Sequence, residues 1–129
     1  MLGIVAVTEK QIYKKMKYEY NAKLIRVIDG DTVDAMIDLG FDVWIKKRIR
    51  LYGIDAPETR TKNLKEKSHG FVAKARLQEL LDAANGNFIL VSQGVGKYGR
   101  CLGVLLIGEY GEIHINNLLL SEGLVEKYE

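Results

Sequence analysis

Cysteine, proline, tryptophan and histidine are all scarce. The 129 residues hold one cysteine (Cys101), one proline (Pro57), one tryptophan (Trp44) and two histidines. A lone cysteine excludes an intrachain disulfide framework. Cys101 stands between Arg100 and Leu102 and reads as a structural thiol rather than a nucleophile. His69 and His114 are far from it along the chain, so no Cys–His pair is indicated. No apolar run approaches the roughly 20 residues of a membrane span. Met1 to Val7 is apolar but short, with no basic start and no clear cleavage site, so no signal peptide is read and a cytoplasmic location is expected. Charge of one sign is also in short supply. The 19 Lys and Arg against 17 Asp and Glu leave +2, which permits a nucleic-acid partner without arguing for one. Gly94 and Gly96 make no phosphate-binding P-loop, because no Gly-Lys-Ser/Thr follows them.

What is present is a length and a 47% hydrophobic content that suit one compact domain, with no internal repeat and no low-complexity linker. Residues 1–20 read as a basic N-terminal extension, with Lys10, Lys14, Lys15 and Lys17 among Tyr13, Tyr18 and Tyr20; residues 21–129 read as the domain. Leu24 to Ile28 is a strand that ends at the hairpin signal Asp29-Gly30. Val33, Ala35 and Ile37 then alternate with polar residues, as do Val43, Ile45, Ile49 and Leu51 with Trp44, Lys46, Arg48, Arg50 and Tyr52. Pro57 cannot donate to a ladder, so the second alternation is expected to stop near Ile54 or Asp55. Ala73, Leu77, Leu80, Leu81 and Ala84 have helical spacing before Asn85-Gly86; Asn63 and Ser68 are alternative caps, because Gly70 weakens a helix running through it. Phe88 to Val91, Leu102 to Ile107 and Ile113 to Ile115 read as strands, and Asn116 to Glu122 as a short helix capped by Gly123. The expected class is α+β: a small antiparallel-rich sheet that closes into a barrel, with one main and one short helix.

Three places could carry chemistry. Asp29-Gly30 alone reads as a structural hairpin, but Asp31 is not needed for the turn and offers an oxygen ligand to a hard cation. Asp55-Ala56-Pro57-Glu58 is either a solvated acidic loop or a metal carboxylate (Asp55) beside a general base (Glu58). Arg50 is either a sheet-surface cation among Lys46, Lys47 and Arg48, or, with Lys97-Tyr98-Gly99-Arg100, a phosphate-capturing group, since a guanidinium fork matches phosphate oxygens.

Taken in order, Val27-Ile28-Asp29-Gly30-Asp31-Thr32, Arg50 through Asp55-Ala56-Pro57-Glu58-Thr59, Lys97-Tyr98-Gly99-Arg100 and Gly123-Leu124 resemble the staphylococcal nuclease (thermonuclease) family over about Leu24 to Tyr128. The resemblance implies a five-stranded OB-type barrel. It implies a Ca²⁺-dependent nuclease that cuts DNA or RNA to 3′-phosphate and 5′-hydroxyl ends, working as a monomer on a nucleic-acid substrate. By it, Asp31 and Asp55 bind Ca²⁺ through carboxylates and Ala56 through its backbone carbonyl, where the family usually has threonine. Arg50 and Arg100 clamp phosphate, Glu58 is the general base, and Lys97 and Tyr98 contact a terminal phosphate. Lysine at either arginine position is expected to be damaging. The family includes secreted members, and its archetype continues into a helix beyond the short one. The base-stacking aromatic is therefore unassigned here, with Tyr128 a candidate and residues 1–20 expected to fill the gap. The other readings are an OB-type module that binds single-stranded nucleic acid or a protein partner without catalysis, and an adaptor domain of a larger assembly.

Overall fold

The computed structural model describes residues 18–128. Most of the basic extension therefore lies outside the described residues. Strand β1 (Glu19–Asp29) already includes Glu19 and Tyr20. It is followed by β2 (Thr32–Asp38), β3 (Trp44–Leu51), the short β4 (Ile54–Asp55), helix α1 (Leu64–Ala83), β5 (Asn87–Val95), β6 (Cys101–Ile107), β7 (Ile113–His114), helix α2 (Ile115–Ser121) and β8 (Glu126–Lys127). A single 3₁₀ turn, Lys97–Gly99, joins β5 to β6.

Strands β1, β2 and β3 form an antiparallel meander, β5 pairs antiparallel with β1, and β6 with β5. The parallel pairing of β3 with β6 (Ile49 opposite Cys101, Leu51 opposite Gly103) closes the sheet on itself. The result is a five-stranded mixed barrel with two helices, an OB-type α+β fold with its main edges removed. Residues of alternate parity fill it: Val33, Ala35, Ile49, Leu51, Leu90 and Leu105 are each 2% exposed or less. A bulge at Ile25 keeps that parity, because Leu24 pairs with Ala35 and Arg26 with Asp34. The extra residue returns Val27 to the interior and puts Arg26 outside.

Helix α1 starts at Asn63, whose side chain accepts from the Lys65 and Glu66 N–H groups, and it runs straight through Gly70. Asn63 rather than Ser68 is thus the cap. Its buried face is Gly70, Ala73, Leu77, Leu80 and Leu81. The bulky half, Leu77 to Leu81, belongs to the barrel core, while the small half faces loops. Full burial of Leu77 and Leu81 is worth about 1.5–3 kcal/mol each.

Helix α2 is tied to the barrel by Asn116. Its buried amide accepts from the Leu105 N–H (3.1 Å) and donates to the Tyr52 (2.9 Å) and Gly103 (3.1 Å) carbonyls. Two expected boundaries shift. The alternation after Trp44 breaks at Tyr52–Gly53, so β4 is a separate strand, paired with β8 through Asp55 opposite Glu126. The first hairpin loop is Gly30–Asp31, with Asp29 paired to Thr32, so Asp31 is itself a turn residue.

Candidate active site

Two acid-bearing loops meet on the small half of α1. A Cβ on Gly30 would lie 2.7 Å from Ala73 Cβ and 3.0 Å from Ala56 Cβ. A Cβ on Gly70 would lie 2.7 Å from the Pro57 carbonyl oxygen and 2.8 Å from that of Glu58. Glycine at these positions lets the β1–β2 turn and the 55–58 loop press against one helix and against each other. Thr59 adds a lock: its hydroxyl donates to Asp29 Oδ1 at 2.7 Å.

Asp31 is buried and fully engaged. Its Oδ1 accepts from the Thr32 hydroxyl (2.8 Å), and its Oδ2 accepts from the Ala56 N–H (2.8 Å) and faces Arg50 Nη1 at 3.2 Å. The Arg50 side chain is 13% exposed. Its Nη1 also donates to the Ile54 carbonyl (2.9 Å), and its Nη2 to Asp55 Oδ1 (3.0 Å). One guanidinium therefore spans Asp31 and Asp55, residues 24 positions apart. The Tyr128 ring lies against the same group, with Arg50 Cζ 5.6 Å from its centroid. The Tyr128 N–H donates to the Gly53 carbonyl, which fixes that ring beside the site.

A cleft of about 320 Å³ adjoins this cluster, lined by Asp29, Thr32, Arg48, Glu58, Arg60 and Arg100 among others. Barrel closure explains why Arg100 is there: Cys101 pairs with Ile49, which sets Arg100 beside the Arg48–Arg50 end of β3. Glu58 is exposed at the cleft wall. Lys97 and Tyr98 stand at the exposed loop tip, with Tyr98 in a left-handed conformation (φ 63°). Arg100 links tip to cleft: its Nε donates to the Lys97 carbonyl (3.4 Å), and its Cζ is 5.8 Å from the Tyr98 ring centroid. A larger cavity, about 630 Å³, lies between the start of α1 and residues 123–126; it includes Asp55 and Ala56 but neither the arginines nor Glu58.

Asp31, Arg50, Asp55 and Ala56 thus form one contact cluster, Glu58 and Arg100 share the neighbouring cleft, and Lys97 and Tyr98 touch Arg100 from the loop tip. Thr32 joins the two halves, since it lines the cleft and bonds Asp31. For a metal, two carboxylates and a backbone carbonyl are hard oxygen donors of the kind Ca²⁺ accepts together with several waters. Among the described residues no group of three or more His, Cys, Asp or Glu gathers. The donors present are of the hard oxygen type, and both carboxylates are bridged by Arg50. The Asp55 side chain is 53% exposed, which leaves that side open to water.

Comparison with known proteins now decides the family. Residues 48–129 match the staphylococcal nuclease homologue family. The chain belongs to that family. Its relatives include protein ParB of Escherichia coli, 33% identical over 90 residues, an alignment covering 69% of this chain and 43% of that protein. An uncharacterized protein of Methanocaldococcus jannaschii, MJ1439, is 31% identical over 132 aligned residues, covering 84% of this chain and 59% of the relative. The chain spans about half the length of these curated relatives. Membership makes this a nuclease-fold domain.

Four positions escape a reading by residue type. Gly70 and Ala73 look like weak helix positions until the loops are seen against them. Thr32 and Thr59 look like strand and loop threonines. A fifth, Asp34, is 3% exposed between two arginines: Arg48 Nε and Nη2 bond it at 2.8 and 3.1 Å, and Arg26 Nε at 3.1 Å. The Arg48 hydrogen bonds, opposed by desolvation and helped by Arg26, hold its carboxyl at a pKa of about 2. The same pairing raises the Arg48 pKa. For Asp34 the available signal is parity, since it shares a face with Arg48 and Arg50.

Proposed function

We propose that the domain is a metal-assisted phosphodiesterase that hydrolyses DNA or RNA. The observation that carries this is convergence: Arg50 bridges two carboxylates from separate loops, directly beside a cleft that holds Glu58 and Arg100. A phosphodiester is anionic and resists attack by water. The two guanidiniums offer paired N–H donors to its non-bridging oxygens and offset charge that builds as water adds. Backbone and carboxylate partners fix the position of Arg50, and the half-exposed Asp55 is the partner a phosphate would displace. Glu58, exposed at the cleft wall, takes a proton from the attacking water, a contribution typically about 10²–10⁴-fold. Attack at phosphorus with departure of the 5′ oxygen leaves 3′-phosphate and 5′-hydroxyl ends. Lys97 and Tyr98, in contact with Arg100 at the loop tip, would meet a terminal phosphate. Asp31, Asp55 and the Ala56 carbonyl would hold Ca²⁺, which when bound supplies electrophilic stabilisation of the phosphoryl oxygens.

The test is incubation of the folded chain with single-stranded DNA, with Ca²⁺ and with excess chelator. Cleavage to 3′-phosphate ends only with the ion, and its loss in Glu58→Gln, is expected. Intact DNA at every divalent cation would leave the non-catalytic reading in its place.

A further inference from the structure

The outer face of the β1–β2–β3 meander carries a row that starts at Arg50 and runs on past the groups the cleavage chemistry uses. Along β3, Arg50, Arg48, Lys46 and Trp44 share one parity and pair with Thr32, Asp34, Met36 and Asp38 of β2. Side chains two residues apart on a strand stand roughly 6.6 Å apart on one face, a step comparable to that between phosphates of an extended single strand. Arg48 lines the cleft, so the row begins at the site. It ends at Trp44, which is 39% exposed and has Lys23 Nζ 5.5 Å from its ring centroid. Beyond Trp44, Phe41 is fully exposed in a loop where Gly40, Phe41 and Asp42 all have positive φ. Of the two acids in the row, Asp34 is neutralised by Arg26 and Arg48 together and Asp38 lies opposite Trp44; Arg26, Arg48, Lys46 and Lys23 outnumber them, so the face is cationic overall. Basic side chains that lead to an exposed aromatic complement a single strand, whose phosphates pair with the cations while a base stacks on the ring.

We infer that a substrate strand continues from the cleft along β3, with Lys46 on its backbone and one base on Trp44. The inference names where the substrate lies and rests on the nuclease reading only for which end of the row is cut. Trp44 is the only tryptophan of the chain, so its fluorescence reports the contact directly.

The experiment titrates the full chain, in chelator, with an oligothymidylate of about 12 nucleotides and with a dinucleotide, and then measures cleavage of both with Ca²⁺. The long strand is expected to quench Trp44 and the dinucleotide to leave it unchanged. Lys46→Ala is expected to reduce the salt slope of binding by about 0.7. Trp44→Ala, a change at a part-exposed position, is expected to raise KM for the long strand about five- to tenfold with kcat, and dinucleotide cleavage, unaltered. Quenching without cleavage by any cation would uphold the track and defeat the nuclease reading. Cleavage with no quenching and an unchanged KM in Trp44→Ala would defeat the track alone. A Trp44 signal that responds to protein concentration and not to the oligonucleotide would assign the face to a second copy and overturn the inference.

Discussion

Gly70→Ala separates helix stability from site geometry. On propensity alone, alanine inside α1 stabilises by about 1 kcal/mol. Against this stand two backbone oxygens, from Pro57 at 2.7 Å and Glu58 at 2.8 Å from the new methyl. Neither is the end of a flexible side chain. To reach an ordinary 3.4 Å contact, the 55–58 loop must retreat by about 0.7 Å. Overpacking of that kind costs about 1–3 kcal/mol, so the net change is a loss of up to about 2 kcal/mol. The larger consequence is for chemistry. Glu58 rides on the displaced loop, and a shift near 1 Å in a reacting group can lower turnover about 10²-fold. The assay is thermal melting together with kcat and KM on single-stranded DNA in Ca²⁺. The expected result is a slightly lowered Tm, a KM close to wild type and a kcat reduced by one to two orders of magnitude, roughly. A variant that melts higher than wild type and cleaves at full rate would refute the reasoning, since the loop would then not depend on the missing side chain.

Two further outcomes follow from the fold. Asp34 has its pKa lowered from 3.8 to about 2 in the native state, so its contribution is fully present above the unfolded value and is lost as pH falls from about 4 to about 2. Asp34→Asn should therefore cost about 1 kcal/mol at neutral pH, a modest figure because both guanidiniums are partly in water, and should flatten the acid limb of a Tm-against-pH curve in that window; an unchanged limb would contradict it. Asn116→Leu leaves the Leu105 N–H and two carbonyls without their partner. A loss of about 2–4 kcal/mol is expected by urea unfolding, and a loss below about 1 kcal/mol would contradict the tie between α2 and the barrel.

Much of this architecture is legible in the sequence. Period-two alternation locates β2 and β3, and three separated motifs point to the acids and arginines that the fold brings to one side. Helix α1 is visible from Ala73 onward, and its start is legible as a choice between Asn63 and Ser68, of which Asn63 is the cap. Gly70 reads as a helix weakness in propensity, and only the loop pressed against it turns the weakness into a requirement. The turn signal falls one residue early, because Asp29-Gly30 is the stronger local motif, whereas pairing of Asp29 with Thr32 puts Asp31 in the loop. The continuing alternation hides the break at Gly53, and β4 exists because β8, distant in sequence, pairs with it. The contact of Tyr128 with Arg50 has no local signal either, since it depends on that same distant pairing. Asp34 is lost among the polar residues of an exposed face; nothing in its neighbours along the chain shows that two arginines from adjacent strands enclose it.

The central claim is that loops from distant parts of the chain act on a single bond. A double-mutant cycle between Glu58→Gln and Arg100→Lys, read as cleavage rate of single-stranded DNA in Ca²⁺, tests it most directly. Groups that serve one transition state are strongly non-additive, so the double variant should be little slower than the slower single variant. Rate losses that simply multiply would mean that the two residues act independently, and would contradict the account.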